Sequence, residues 1–287
     1  MQSTVERLLD NYLSLPGKMI RPKLTQLFGH QWGLKKTEID LIAQAAEKIH
    51  NASLIHDDVI DQAEIRRGRK TLNQLVSSSQ AVLAGDYLLA SVIADMAGRG
   101  QLAILKTLSK ALSEIVEGEF LQDELKHSGA SNHENLTEVA EKKTGALLAW
   151  CCSATAIVAG LQSEIVLKCE KIGRQLGVAF QMIDDNLDYT STSQKDYAKD
   201  LKSGLINYTT LELINLFPER HYAVHQIRKT DFNIPPWTRP EMEQAKMSIQ
   251  QKAMNIVNEV KQDVLSIAGR DSDEIISFIN QMQRRIQ

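Results

Sequence analysis

Asp57-Asp58-Val59-Ile60-Asp61 and Asp184-Asp185-Asn186-Leu187-Asp188 repeat one acidic pattern far apart in the chain. Residues four apart share a helix face, so Asp57 and Asp61 point the same way, as do Asp184 and Asp188. Like charges at that spacing repel. Each cluster also follows an apolar run, where carboxylates are unfavourable unless a cation neutralises them. A hard divalent ion with oxygen ligands, Mg²⁺ above all, relieves both problems and binds through a few carboxylates plus substrate phosphates. Arg66-Arg67-Gly68 follows the first cluster, and paired guanidinium groups beside a metal suit a polyanion such as diphosphate. The plainer reading, two solvated acidic helix faces, explains neither the duplication nor the arginines.

The elements that must position these residues read as helix almost throughout. Apolar periodicity predicts helices over about 3–14, 22–32, 38–61, 80–98, 101–127, 133–160, 164–189, 207–217, 239–268 and 272–285. Starts are signalled by Thr37, Asn132 and Ser163. Thr190 to Gly204 has the composition of a loop. Both clusters then fall near C-terminal helix ends, where the helix dipole disfavours negative charge. One local rule is broken twice in the same way, which is a mark of function. Long helices joined by short turns predict an all-α fold, a single large helical bundle over 1–287.

Bulk properties narrow the classes. At 287 residues, 43% hydrophobic and 24% charged, the chain is an ordinary globular one, and a net charge of −3 gives no electrostatic reason to expect nucleic acid. Three cysteines, Cys151, Cys152 and Cys169, suit neither a disulfide framework nor a zinc site and read as buried thiols of a cytoplasmic protein. Met1 to Asp10 lacks a basic region followed by an apolar stretch. Thr144 to Leu161 is uncharged, but its small and polar residues read as a core helix rather than a membrane span.

The ordered set Gly17-Lys18-Met19-Ile20-Arg21-Pro22, His50, both acidic clusters, Arg66-Arg67-Gly68, Gly85-Asp86, Lys143-Thr144, Phe180-Gln181 and Lys195 to Asp200 resembles the trans-isoprenyl diphosphate synthases. Within that family it is most similar to the bacterial medium- and long-chain polyprenyl diphosphate synthases. The resemblance runs from about residue 17 to 210. It implies condensation of isopentenyl diphosphate with an allylic diphosphate, with Mg²⁺ as cofactor, in an isoprenoid synthase bundle. It implies Asp57, Asp58, Asp61, Asp184 and Asp188 as metal residues. Arg66, Lys143, Thr144, Gln181 and Lys195 would contact the allylic diphosphate, and Lys18, Arg21, His50 and Arg67 the isopentenyl diphosphate. Asp57, Asp61, Asp184, Lys143 and Lys195 would carry catalysis. The chain departs from the family at Leu205, where a lysine is usual after the glycine.

Small residues on the helix before Asp57, namely Ser53 and Ala52 and then Ile49, Ala46 and Ala45, leave no aromatic floor against a growing chain. Because short-chain members of the family carry aromatic side chains near these positions, the resemblance implies a product longer than farnesyl, with plain helix packing as the alternative use of the small residues. The family also implies a homodimer, or a heterodimer with a small regulatory subunit. A subunit of a heteromeric synthase, an inactive binding module, and a terpene cyclase or squalene-type enzyme stand as rival readings.

Overall fold

A computed structural model describes residues 3–13, 19–66, 68–189, 199–220, 237–268 and 272–284. Short polar residues open several helices. Ser3 caps α1 (Thr4–Tyr12): its hydroxyl accepts the Glu6 N–H at 3.2 Å, and Glu6 accepts the Ser3 N–H at 2.6 Å. After α2 (Ile20–Gln31) comes α3 (Lys36–Ile60). Its cap is Lys35, two residues before the predicted Thr37, because Glu38 reaches back to the Lys35 N–H at 2.8 Å. A two-residue hairpin, β1 (Ile65–Arg66) with β2 (Arg69–Lys70), and a single turn, α4 (Leu72–Leu75), follow; neither was visible as periodicity in so few residues. Next come α5 (Ser78–Gly98) and α6 (Leu102–Ser128).

The segment predicted as one helix over 133–160 is α7 (His133–Ala140), a π-helical turn (Glu141–Gly145) and α8 (Ala146–Val158). Asn132 caps it as expected, accepting the Asn135 N–H at 3.0 Å. Then follow α9 (Ser163–Leu187), with Gln162 rather than Ser163 at its cap, and α10 (Lys199–Lys202), a short helix inside the predicted loop. The last are α11 (Tyr208–Leu216), α12 (Arg239–Ala268) and α13 (Asp273–Arg284). Among the described residues the fold is all-α apart from the small hairpin.

Contacts divide the chain into two compact units, Met1–Ser109 with Ala154–Leu161, and Lys110–Ser153 with Gln162–Gln287. In the first, α3 packs against α2 and α5, and Ala52, Ile55, Leu72, Ala81, Ala84 and Leu88 close a core with Leu9 of α1. α5 has the length and composition of a membrane span; its Ala84 and Leu88 belong to this core, and Val92 and Met96 further along are buried as well. In the second unit α9 packs against α12 and the π turn, and α11 against α12. Leu147 to Cys152 of α8 are buried, as predicted for that uncharged segment. All three cysteines are buried and free, and burial pushes the Cys169 thiol up to about 12.

Glu212 on α11 is a buried carboxylate held by Lys252 Nζ and the Ser248 hydroxyl of α12, each at 2.5 Å. Burial alone raises its pKa; the ammonium and hydroxyl outweigh that and hold it below the ordinary 4.5. A depressed folded value means the stability is complete above the unfolded pKa and is lost as pH falls through the folded one. Lys252→Met is therefore expected to cost about 1–2 kcal/mol at pH 7, discounted because the lysine is partly solvated. In urea titrations the difference from wild type should shrink as the pH falls below 4.5 and on through the lower folded value; a gap unchanged at acid pH would refute the pairing.

Candidate functional site

The first cluster ends α3. Gln62 takes the left-handed conformation at φ 51°, its N–H bonds to the Val59 carbonyl at 3.2 Å, and the Ala63 N–H bonds to the Asp58 carbonyl at 2.9 Å. This is a Schellman stop with glutamine where glycine is usual. The chain then reverses, and the hairpin closes through Gly68 at φ 75°. That reversal carries Arg66 back to the helix it left. Its Nε donates to Asp58 Oδ1 at 2.8 Å, and Asp58 is 1% exposed. Asp57 is half-buried and Asp61 exposed. His56, next to the cluster, is clasped by α5: its Nε2 lies 3.2 Å from the Val82 carbonyl and 3.4 Å from Asp86, with Gly85 leaving room for the ring. His50 and Arg21 lie half-buried on α3 and α2, which pack together.

The second cluster ends α9. Asp184 is exposed and Asp188 half-buried, whereas Asp185 and Asn186 are buried. Asp185 accepts the Gln181 amide at 2.8 Å and the Tyr208 N–H, at the start of α11, at 2.9 Å. Burial, and then the charge of Asp200, push its pKa up to about 7 against those two donors. Asn186 accepts the Thr209 hydroxyl at 2.6 Å and donates to the Lys246 carbonyl at 3.1 Å. Asp188 accepts the Asp200 N–H at 3.2 Å, and Asp200 in turn accepts the Asn207 amide at 2.9 Å.

Lys143 and Thr144 sit in the π turn, an irregularity that often marks functional positions. The Thr144 hydroxyl donates to Gln181 Oε1 at 3.0 Å, so Thr144, Gln181 and Asp185 form one chain of hydrogen bonds. Lys143 Nζ is paired with Glu119 and donates to Gln122 at 3.1 Å, both on α6. Gly118 permits this: a Cβ there would lie 2.8 Å from Lys142 Cβ and 2.9 Å from Lys143 Cγ. Sequence reasoning missed Glu119 and Gln122. Their signal was a glycine inside α6 followed by two polar residues on adjoining turns.

Among the described residues no three His, Cys, Asp or Glu side chains converge as a ready metal cage. Mg²⁺ does not need one, since it takes one or two carboxylates and completes its shell with water and phosphate. Asp57 with Asp61, and Asp184 with Asp188, each pair one helical turn apart on one face with one member exposed, fit that demand. Within the first unit the fold joins Asp58 to Arg66, and within the second it joins Thr144, Gln181 and Asp185. Lys18, Arg67 and Lys195 lie outside the described residues.

The decaprenyl-diphosphate synthase of Dictyostelium discoideum is 36% identical over 212 residues, covering 72% of this chain and 46% of that protein. The human all trans-polyprenyl-diphosphate synthase PDSS1 is 34% identical over 233 residues, covering 77% of this chain and 56% of its own length. The chain thus spans about half the length of these curated relatives. The crystal structure of a decaprenyl diphosphate synthase from Rhodobacter capsulatus shares the fold, with a TM-score of 0.87 at 24% identity over 100% of this chain and 93% of that one. Residues 2–234 match the family described as Polyprenyl synthetase, and the chain belongs to that family.

Proposed function

We propose that this chain is a prenyltransferase that joins isopentenyl diphosphate head-to-tail to an allylic diphosphate, giving a polyprenyl diphosphate longer than farnesyl. One observation carries the reading. In each acidic cluster the outer aspartates, half-buried or exposed, share one helix face, while the buried aspartate between them holds a neighbouring cationic or amide group by a hydrogen bond.

Asp57 with Asp61, and Asp184 with Asp188, would hold Mg²⁺, which when bound supplies Lewis-acid neutralisation of the departing pyrophosphate. Arg66, Lys143 and Lys195 bind the allylic diphosphate as charges, and Gln181 and Thr144 orient it by hydrogen bonds. Lys18, Arg21, His50 and Arg67 hold the isopentenyl diphosphate, placing its double bond at the allylic carbon. The C–O bond to pyrophosphate breaks, the double bond supplies the electron pair of the new C–C bond, and a proton leaves to restore neutrality. The carbocation has to be kept from water until the new bond forms. Incubation with farnesyl diphosphate, isopentenyl diphosphate and Mg²⁺ tests the reading: longer linear diphosphates support it, and cyclic or head-to-head products reject it. Turnover that begins only when a small second subunit is added assigns the chain to a heteromeric synthase.

Ala52 is fully buried, and Ser53 is half-buried one turn before Asp57, its hydroxyl donating to the His50 carbonyl at 2.9 Å. The growing chain passes this point, roughly 6 Å along the helix from Asp57. Ser53→Phe is expected to shorten the main product by one or more isoprene units, read by mass spectrometry; an unchanged product ladder rejects that path.

A second copy of the chain is the proposed partner. Val82, Leu83 and Ile93 of α5 are exposed large apolar residues, as are Val116 and Phe120 of α6. Such faces belong at interfaces. Leu83→Asp should turn a dimer into a monomer in sedimentation equilibrium; a wild-type monomer at micromolar concentration would refute the pairing.

A further inference from the structure

The apolar stripes of α3 and α9 do not stop at the acidic clusters. On α3 the buried positions Ala52 and Ile55 are followed, three residues on, by Asp58. On α9 Val178 and Met182 are followed, three residues on, by Asp185. The second aspartate of each cluster therefore stands in the core register, about 100° around the helix from the aspartate before it. The two are 1% and 5% exposed. Both are bound to a group that the proposed function places on the allylic diphosphate. Asp58 takes the Nε–H of Arg66 at 2.8 Å. Asp185 takes the amide of Gln181 at 2.8 Å, and its other oxygen takes the Tyr208 N–H at 2.9 Å.

We propose that Asp58 and Asp185 are positioning residues and not metal ligands: each is a buried strut that fixes a diphosphate-binding side chain beside the outer aspartates of its own cluster. Asp58 neutralises Arg66 through one nitrogen and leaves the guanidinium's terminal nitrogens to bind phosphate, a division that a planar fork allows. Asp185 fixes which end of the Gln181 amide faces which neighbour. With its oxygen committed to Thr144 and one N–H to Asp185, the direction of the second N–H is fixed, and Asp185 is itself held by the Tyr208 N–H at the start of α11. The inference rests on the proposed function and deepens it.

Inorganic pyrophosphate and Mg²⁺ are the probes, titrated calorimetrically into the full chain. Asp57→Asn and Asp184→Asn are expected to raise the half-saturating Mg²⁺ concentration about tenfold or more, as lost ligands do. Asp58→Asn and Asp185→Asn should leave it within about twofold, yet weaken pyrophosphate about tenfold at saturating Mg²⁺, the worth of one misplaced charge-assisted hydrogen bond. Asp58→Asn and Arg66→Gln combined should weaken binding by clearly less than the product of the two single effects, because the side chains are in direct contact. A Mg²⁺ shift in Asp58→Asn or Asp185→Asn matching that of Asp57→Asn overturns the proposal. So does a loss of thermal stability with pyrophosphate affinity unchanged. Failure of the wild-type chain to bind pyrophosphate at any Mg²⁺ concentration sinks the functional reading instead. The strut is then read from the ¹⁵N-detected Nε–H resonance of Arg66: slow exchange lost in Asp58→Asn supports it, and an unchanged resonance overturns it.

Discussion

Asp57→Asn is expected to lower elongation by about a thousandfold, the loss that follows when several kcal/mol of charge stabilisation leave the transition state. The substitution is nearly isosteric on a half-buried side chain, so the fold has little to lose. It even removes a repulsion with Asp61 one turn away, which is worth a few tenths of a kcal/mol. The two effects therefore have opposite signs: activity collapses while the thermal midpoint holds or rises slightly. Steady-state turnover at saturating Mg²⁺, measured beside a melting curve, separates them. Turnover within tenfold of wild type would remove Asp57 from the chemistry, and a melting point lowered by several degrees would make it structural.

The second large effect lies in packing. At Gly177 on α9 a Cβ would stand 2.4 Å from the Gly145 Cα and 2.6 Å from its N. At Gly173, one turn earlier, it would stand 2.4 Å from the Leu148 carbonyl oxygen. These obstacles are backbone, so no side chain can swing aside and two helices must separate. Gly177→Ala is expected to cost about 3 kcal/mol, the upper end of ordinary overpacking. Gly98 is the control: nothing lies within 4 Å of its Cβ position, and Ala there should be neutral or stabilising by up to about 1 kcal/mol. Urea denaturation of both variants tests the contrast. Because the turn pressed by Gly177 carries Lys143 and Thr144, Gly177→Ala should also raise KM for the allylic substrate. Similar midpoints for the two variants would mean that α9 and the turn can part at little cost.

Much of this was legible in the sequence. Helix positions followed from apolar periodicity, because a 25-residue helix such as α9 repeats its stripe enough times to be unmistakable. The ends were less exact where a long side chain did the capping: Glu38 reaches back to Lys35, past the more conventional Thr37. The hairpin at Ile65–Lys70 offered too few residues for any alternation to register. Asp57, Asp61 and Asp184 stood out because charge at helical spacing beside apolar runs has few inert explanations. What the sequence could not separate was the role of adjacent aspartates. Helical spacing sets Asp57 on the face of Asp61 and Asp58 off it, but what Asp58 does there shows only in its burial and in the returning Arg66. Glu119 and Gln122 escaped for a similar reason, since their meaning depends on a lysine that is remote in sequence.

The wide turn at Glu141–Gly145 closes its ring one residue later than an α-helix does. Everything after it is rotated by roughly 100° relative to an uninterrupted helix. Leu136, Val139 and Ala140 before it, and Ala146, Leu147 and Leu148 after it, can therefore all face inward, while Lys142 and Lys143 between them emerge near Glu117 and Glu119. Trimming a single residue there would yield a smoother helix and a cation delivered to the wrong address. The surplus residue acts as a phase shifter, and regularity is what the chain gives up to aim one ammonium group.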